Sequence, residues 1–460
     1  MIGVKVSHLR GRPSEWFALS DMMRIEARRS IGRAFFPAIA VLAGFLAAGS
    51  LAEIPLWIDT SIVVRDTALV LGPVLAGAAA WMAGRERVRG MEELLESTAR
   101  PAGARTLTTA AATTLWGVLA YAVVAAGLIG WTYFRGAWGE PPIWPIVTGL
   151  LTVLACASLG YALGAWLHSR FTAPLVAVAL FSVLYFPVGL PETSPLHWLT
   201  PTIRMEGSVY YGLFPNLGLE HSVFLTGLAL ASLAAAGLRR ARMSPVAWGI
   251  TLAGSFLVAV GAGMVWAGGY RAESMFAADL PVIPHTPICN ERRPVAVCVH
   301  PAYKSLLEDL SAHANWTLEP LLGLPGVPER LEQGAVGMTP EEAGGTLTFA
   351  DGLTLGPAAS SQSKLSVISS AVPVYDLVVD LNNPAVAATG EDARKVQDSI
   401  SYWLYNRGNP FPCKEVSGNW RTICEAAERF EQMQPTRQRA WLEENWADLR
   451  AGKLGMEDLP

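Results

Sequence analysis

Seven apolar runs dominate the first 268 residues, at about 34–52, 64–83, 109–134, 144–167, 174–190, 221–238 and 246–268. Each is near the ~20 residues that a bilayer crossing needs, so each predicts a membrane-spanning helix, the fifth being the shortest. Between the second and third runs lies the longest charged interruption, GRERVRGMEELLESTARPAGAR, residues 84–105, with five arginines and four glutamates. Its apolar residues Val88, Met91, Leu94 and Leu95 are spaced i, i+3, i+6 and i+7. On a helix that spacing makes one narrow apolar stripe, with Glu92, Glu93 and Glu96 on other faces. Pro101 and Gly103 then stop the helix. The pattern predicts a short amphipathic helix at the membrane surface; the plainer account is a solvated basic loop that only sets topology.

Residues 1–33 contain no short apolar core followed by a cleavage site, so a cleaved signal peptide is not expected. Within them, SEWFALSDMMRIEARRS offers Ser14 as an N-cap, puts Trp16, Leu19 and Met23 along one face and gathers arginines near its end. It reads as an in-plane interfacial helix. The connection 191–220 is too polar to span and too apolar to float freely. Short helices anchored at the interface by Trp198, Tyr210 and Tyr211 would satisfy both facts.

After residue 268 the pattern changes. LSVISSAVPVYDLVVDLN (365–382) has the β-branched character of a strand, and GTLTFADGLTLG (345–356) reads as a hairpin turning at Asp351–Gly352. Helices are expected at 302–314, 391–406 and 422–450. The fold class is therefore a polytopic α-helical membrane protein of about seven transmembrane helices with a C-terminal mixed α/β extracytoplasmic domain. Its parts are a cytoplasmic N-terminal segment 1–33, a transmembrane domain 34–268 and an outer domain 269–460.

Charge supports the division. Residues 1–268 hold 19 Lys+Arg against 14 Asp+Glu, and residues 269–460 hold 16 against 25. With the N-terminus inside, the inner segments carry 16 of those first 19 basic residues, leaving only Arg65, Arg135 and Arg204 outside. That asymmetry places the N-terminus in the cytoplasm, and an odd number of spans then places everything after 268 outside. Four of the five cysteines, Cys289, Cys298, Cys413 and Cys424, lie in that outer part. An even set there fits two disulfides in an oxidising compartment. Three connectivities exist, and short loop closure favours Cys289–Cys298 with Cys413–Cys424. Arginine outnumbers lysine 29 to 6, which together with abundant alanine points to a GC-rich bacterial source and hence to a bacterial cell membrane.

Chemistry is sparse. The chain has no phosphate-binding Gly-x4-Gly-Lys-Ser/Thr loop, no His-Glu-x-x-His and no Cys-x-x-Cys. In the spans Arg65 and Asp66 read as a mutually satisfied interfacial pair, His168 lies at the inner end of the fourth run, and no chain of acids and histidines exists to relay protons. His285, His300 and His313 read as structural or surface histidines, since one histidine beside a disulfide does not make a metal site. Ser360, Ser361 and Ser363 lie in a loop without a nucleophile elbow. Asn315-Trp316-Thr317 fits the glycosylation pattern, without weight in a bacterial protein. No catalytic, cofactor or metal residues are expected.

The segment RERVRGMEELLESTARP between the second and third spans resembles the type-2 (ABC-2-like) permeases of ATP-binding-cassette transporters. The resemblance rests on Arg85, Glu86, Gly90, Glu92 or Glu93, Leu94, Leu95, Ser97 and Thr98, and it covers about residues 14–240. It implies that residues 84–98 are the coupling helix that docks on a cytoplasmic ABC ATPase through Val88, Met91, Leu94 and Leu95. Such a chain binds no ATP itself, pairs with a second permease as a homodimer or with a similar subunit, contacts membrane lipid but no nucleic acid, and exports its substrate. Here Pro101 stands after an inserted Ala99 and Arg100, and a seventh span and an outer domain are added. The alternative from another class is an ATP-independent sensor or anchoring protein whose outer domain binds a ligand. A membrane-embedded hydrolase has no paired residues to support it.

Overall fold

A computed structural model describes residues 23–30, 32–51, 55–88, 102–167, 169–191, 194–202, 209–210, 212–214, 216–240, 245–274, 283–333, 347–349, 378–379, 390–407, 411 and 413–460. The chain forms two compact units, Met1–Ile283 and Pro284–Pro460. The first contains α1 (Gly32–Gly49), α2 (Trp57–Asp66), α3 (Ala68–Val88), α4 (Ala102–Phe134), α5 (Ile143–Trp166), α6 (Thr172–Tyr185), α7 (Pro195–Leu199), α8 (Leu217–Arg240) and α9 (Pro245–Ser274). Among the described residues six helices are long and apolar enough to cross a membrane: Gly32–Gly49, Trp57–Arg85, Thr106–Phe134, Ile143–Trp166, Leu217–Leu238 and Trp248–Gly268. The protein is a multi-pass helical membrane protein. The second of these crossings breaks at Thr67, whose hydroxyl donates back to the Val64 carbonyl at 2.6 Å, a bond that bends helices.

Small residues set how the helices meet. α2 and α3 run parallel to α5 in a constant register: Gly149 lies against Arg65 of α2, and Gly160 and Gly164 against Ala76 and Ala80 of α3, each pair 84 positions apart (149 − 65, 160 − 76, 164 − 80). A Cβ on Gly160 or Gly164 would overlap the facing backbone, so only glycine permits this approach. α8 and α9 meet antiparallel by the same device, with Gly227 against Val258, Gly254 against Ala231 and Gly261 against Phe224. A core of Phe36, Val64, Leu71, Leu75, Tyr121 and Val153 joins α1 to α5.

The fifth expected span, 174–190, differs from its expectation. It is the 14-residue α6 followed by one 3₁₀ turn, Phe186–Gly189, and is too short to count with the other six. Pro187 takes the chain out of the α-helical ladder. α5 and α8 are parallel neighbours, since Gly218 lies against Trp144 and the Trp166 indole donates to the Ala235 carbonyl. The chain must therefore return from the end of α5 to the start of α8. α6 makes that return antiparallel to α3, with Gly77 against Ala173 and Gly72 against Leu184. With its 3₁₀ turn it reaches ~29 Å, close to the ~30 Å of a hydrocarbon core. Beyond it, Trp198 and Tyr210 are buried, and Trp198 packs on Leu217 and Val265. Tyr211 lies outside the described residues, as do residues 1–22, with Trp16 and Leu19, and also His168.

Among its described residues the second unit contains a four-stranded sheet in the order β1 (Ile288–Asn290), β2 (Ala296–Val299), β3 (Arg330–Gln333), β4 (Leu347–Phe349). β1 and β2 are antiparallel and the remaining pairs parallel. Cys289 and Cys298 stand directly opposite on β1 and β2 and are joined, with Cα atoms 4.0 Å apart. The expected 302–314 helix is a 3₁₀ turn, Pro301–Leu306, running into α10 (Leu307–Leu318), which lies on β1 and β2. α11 (Glu391–Asn406) has the expected bounds, whereas the expected 422–450 helix is two: α12 (Asn419–Glu431) and α13 (Pro435–Arg450). Pro435 cannot continue α12 but fits the first turn of α13. Cys413 is joined to Cys424 on α12, with Cα atoms 5.4 Å apart. Of the expected 345–356 hairpin only β4 lies among the described residues, and of 365–382 only 378–379.

Buried polar side chains in this unit hold main-chain groups, as burial requires. The Gln397 amide donates to the Leu449 carbonyl, Gln438 to that of Phe430 and the Trp446 indole to that of Pro325. The Trp403 indole, wholly buried, donates to Glu431 Oε2 at 2.6 Å and meets the Phe430 ring edge-on.

Candidate coupling site

α3 carries the helix past the apolar span to Val88, so Arg85, Glu86 and Val88 lie on its last turns. Arg85 Nη2 donates to Glu26 Oε2 at 3.1 Å, and both side chains are less than one-fifth exposed. Glu26 belongs to a helix over 23–29, the described part of the expected interfacial helix. One residue on, the carbonyl of Ala27 accepts the indole N–H of Trp116, on α4, at 2.9 Å. The N-terminal helix is thereby fixed to the helices on both sides of the arginine-rich segment: by an ion pair to α3 and by a hydrogen bond to α4. Gly90, Met91, Glu92, Glu93, Leu94, Leu95 and Ser97 lie outside the described residues, as does Thr98, and of Glu86 and Val88 only the helical main chain is described.

The sequence reading missed Glu26 and Trp116 as partners of this region. Glu26 is an acid set among four nearby arginines, Arg24, Arg28, Arg29 and Arg33, which was a signal available for reading. Trp116 sits well inside an apolar run and carried none.

A second polar cluster lies within the bundle. Arg65 and Asp66 do pair, with Nε and Nη2 of Arg65 both 2.9 Å from Asp66 Oδ1; Arg65 is buried, 1% exposed, and Asp66 is partly open. Its Nη1 has no partner among the described residues. The guanidinium is within electrostatic range of Tyr121 and His221. The Tyr121 hydroxyl donates to the Ile146 carbonyl, and His221 Nε2 lies 2.8 Å from the Trp198 carbonyl, where it donates. His221 opens the sixth expected run and was not singled out in the sequence.

Among the described residues no group of three or more His, Cys, Asp or Glu could hold a metal ion. His300 is buried and caps the 3₁₀ turn, its Nδ1 accepting from the Ala302 N–H at 3.2 Å. Burial, with the neighbouring His285 adding to it, pushes its pKa down to about 4. His313 is also lowered by burial. Asn315 is buried, with Oδ1 accepting from the Val295 N–H and Nδ2 donating to the carbonyls of Val295 and Ser311, so its amide is fully committed. Neither a protein-family model, a curated protein nor a solved structure matches the chain.

Proposed function

We propose that this chain is the membrane-spanning permease subunit of an ATP-binding-cassette exporter of the type-2 kind, driven by a separate cytoplasmic ATPase. The observation that carries the reading is the double attachment of the N-terminal helix, Arg85 to Glu26 and Trp116 to Ala27, around the arginine-rich loop. A loop that only fixes topology needs no such brace. A loop that receives force does, because a push on 89–101 then moves α3, α4 and the surface helix together. ATP is bound and hydrolysed on the partner, and a second permease, the same chain or a similar one, completes the translocator. The chain sits in a bacterial cell membrane with its N-terminus in the cytoplasm. The antiparallel return of α6 supports an odd number of crossings, and with it an extracytoplasmic second unit.

The test is co-purification of the tagged chain from its native membrane, beside Leu94→Asp/Leu95→Asp. The expected result is a cassette ATPase recovered with the parent and lost from the double variant. Absence of an ATPase from both refutes the reading and leaves the chain as a membrane sensor or anchor for its second unit.

A further inference from the structure

The helix over 23–29 has two faces. At ~100° per residue, Met23, Glu26 and Ala27 fall on one side, and these are half-buried against the bundle, where Glu26 and Ala27 make the two attachments. Arg24, Arg28, Ile25 and Arg29 fall within an opposite arc of ~140°, and all four are exposed. Only Ser30 and Ile31 separate this helix from α1. The buried Ser30 hydroxyl accepts from the Gly32 N–H and its carbonyl from the Arg33 N–H, each at 3.2 Å, so the elbow is capped and short. Arg33, in the first turn of α1, is exposed as well.

The two attachments set the depth of the helix. Arg85 ends the crossing Trp57–Arg85, and Trp116 lies ten residues (116 − 106) inside Thr106–Phe134. A helix held by those two residues lies level with the ends of the crossings, where the headgroups stand. A guanidinium cannot stay in hydrocarbon, and at this depth its counter-charge does not come from the chain. Glu26 is committed to Arg85, and among the described residues none pairs with the side chains of Arg24, Arg28, Arg29 or Arg33. Arg24 and Arg28, four positions apart on one face, repel each other. Phospholipid phosphate is the anion that this layer supplies, and the guanidinium fork takes it through two parallel N–H bonds. Ile25, 50% exposed among the arginines, adds the apolar contact of an interfacial helix.

We propose that Arg24, Arg28 and Arg29, with Arg33, form a docking surface for the headgroups of anionic phospholipids in the leaflet where α1 begins. Bound lipid completes the brace from outside: Glu26 and Ala27 hold the helix to the bundle, and the arginines hold it to the membrane. The surface requires the membrane placement but neither an ATPase nor a transported substrate.

The test offers the full chain, purified in mild detergent, equal amounts of dioleoyl phosphatidylglycerol and dioleoyl phosphatidylcholine, and reads the retained lipid by native mass spectrometry. The parent should retain phosphatidylglycerol in preference. An arginine near an anionic surface strengthens association about fivefold, or ~1 kcal/mol. Arg28→Gln should therefore lower phosphatidylglycerol retention about fivefold, and Arg24→Gln/Arg28→Gln/Arg29→Gln roughly a hundredfold, with phosphatidylcholine unaffected. Arg24→Lys/Arg28→Lys/Arg29→Lys keeps the charges and should keep most of the preference. Arg170→Gln removes an exposed arginine between α5 and α6 and should leave retention unchanged. Equal loss from Arg170→Gln and Arg28→Gln overturns the proposal, because overall charge alone then governs retention. A lysine variant as deficient as the glutamine one overturns it too, since packing would be the cause. So does full retention by the triple glutamine variant; if that variant loses a soluble protein recovered with the parent, the arginine face belongs to that protein.

Discussion

Reversing the charge at Glu26 probes the brace around the loop most directly. The Glu26–Arg85 pair is 3.1 Å long, and its side chains are 17% and 18% exposed. That exposure lies between two limits. Fully exposed pairs contribute about 0–1 kcal/mol, and breaking a fully buried one costs about 3–5 kcal/mol. A coupling energy of ~1–2 kcal/mol follows, within the range that cycles between contacting residues return. Glu26→Arg should therefore release the 23–29 helix by at least that amount, since it also opposes two like charges. Arg85→Glu should act alike, and the double reversal Glu26→Arg/Arg85→Glu should restore most of the loss. The assay is amide hydrogen exchange of residues 23–29 in the full chain in nanodiscs, where ~1.4 kcal/mol appears as about a tenfold change in protection. Trp116→Phe, which removes the N–H held by Ala27, supplies an independent arm worth ~1 kcal/mol. If the double reversal protects no better than either single variant, the ion pair does not hold the helix and the argument for a braced loop fails.

Asn315→Ala strands the buried N–H and C=O of Val295 and should cost about 2–4 kcal/mol, read as faster exchange at the start of β2; a change under about threefold would contradict this. In the bundle, Gly160→Ala should destabilise by about 1–3 kcal/mol, because its Cβ lands on the Ala76 backbone, while Gly237→Ala meets nothing and should be neutral or better in denaturant titration. His300 is held neutral in the fold, with its pKa lowered from 6.5 to about 4. The stability linked to its burial is therefore complete above about pH 6.5 and is lost as the pH falls to about 4, by up to ~3 kcal/mol. His300→Asn, which can still accept from Ala302, should flatten that slope in unfolding measured against pH.

The spans were legible because hydrocarbon imposes a local rule: about twenty apolar residues in succession must be helical. The expected 109–134, 144–167 and 246–268 lie within three residues of Thr106–Phe134, Ile143–Trp166 and Trp248–Gly268. α11 was legible from its amphipathic pattern, and the disulfides join the cysteines nearest in sequence, because short loops close readily. The fifth span was only half legible, since its apolar run conceals the proline turn that ends α6.

The amino-acid order alone determined that this is a multi-pass helical protein with a separate mixed α/β unit, since period, apolar length and charge balance are local properties. Tertiary structure alone decided that Glu26 meets Arg85, 59 positions away, and that Arg65 is enclosed by its neighbours. It alone set α3 and α5 in a glycine register and left an apolar groove between α1 and α4. Those outcomes depend on which helix faces meet and how closely, and small residues encode closeness without naming the partner.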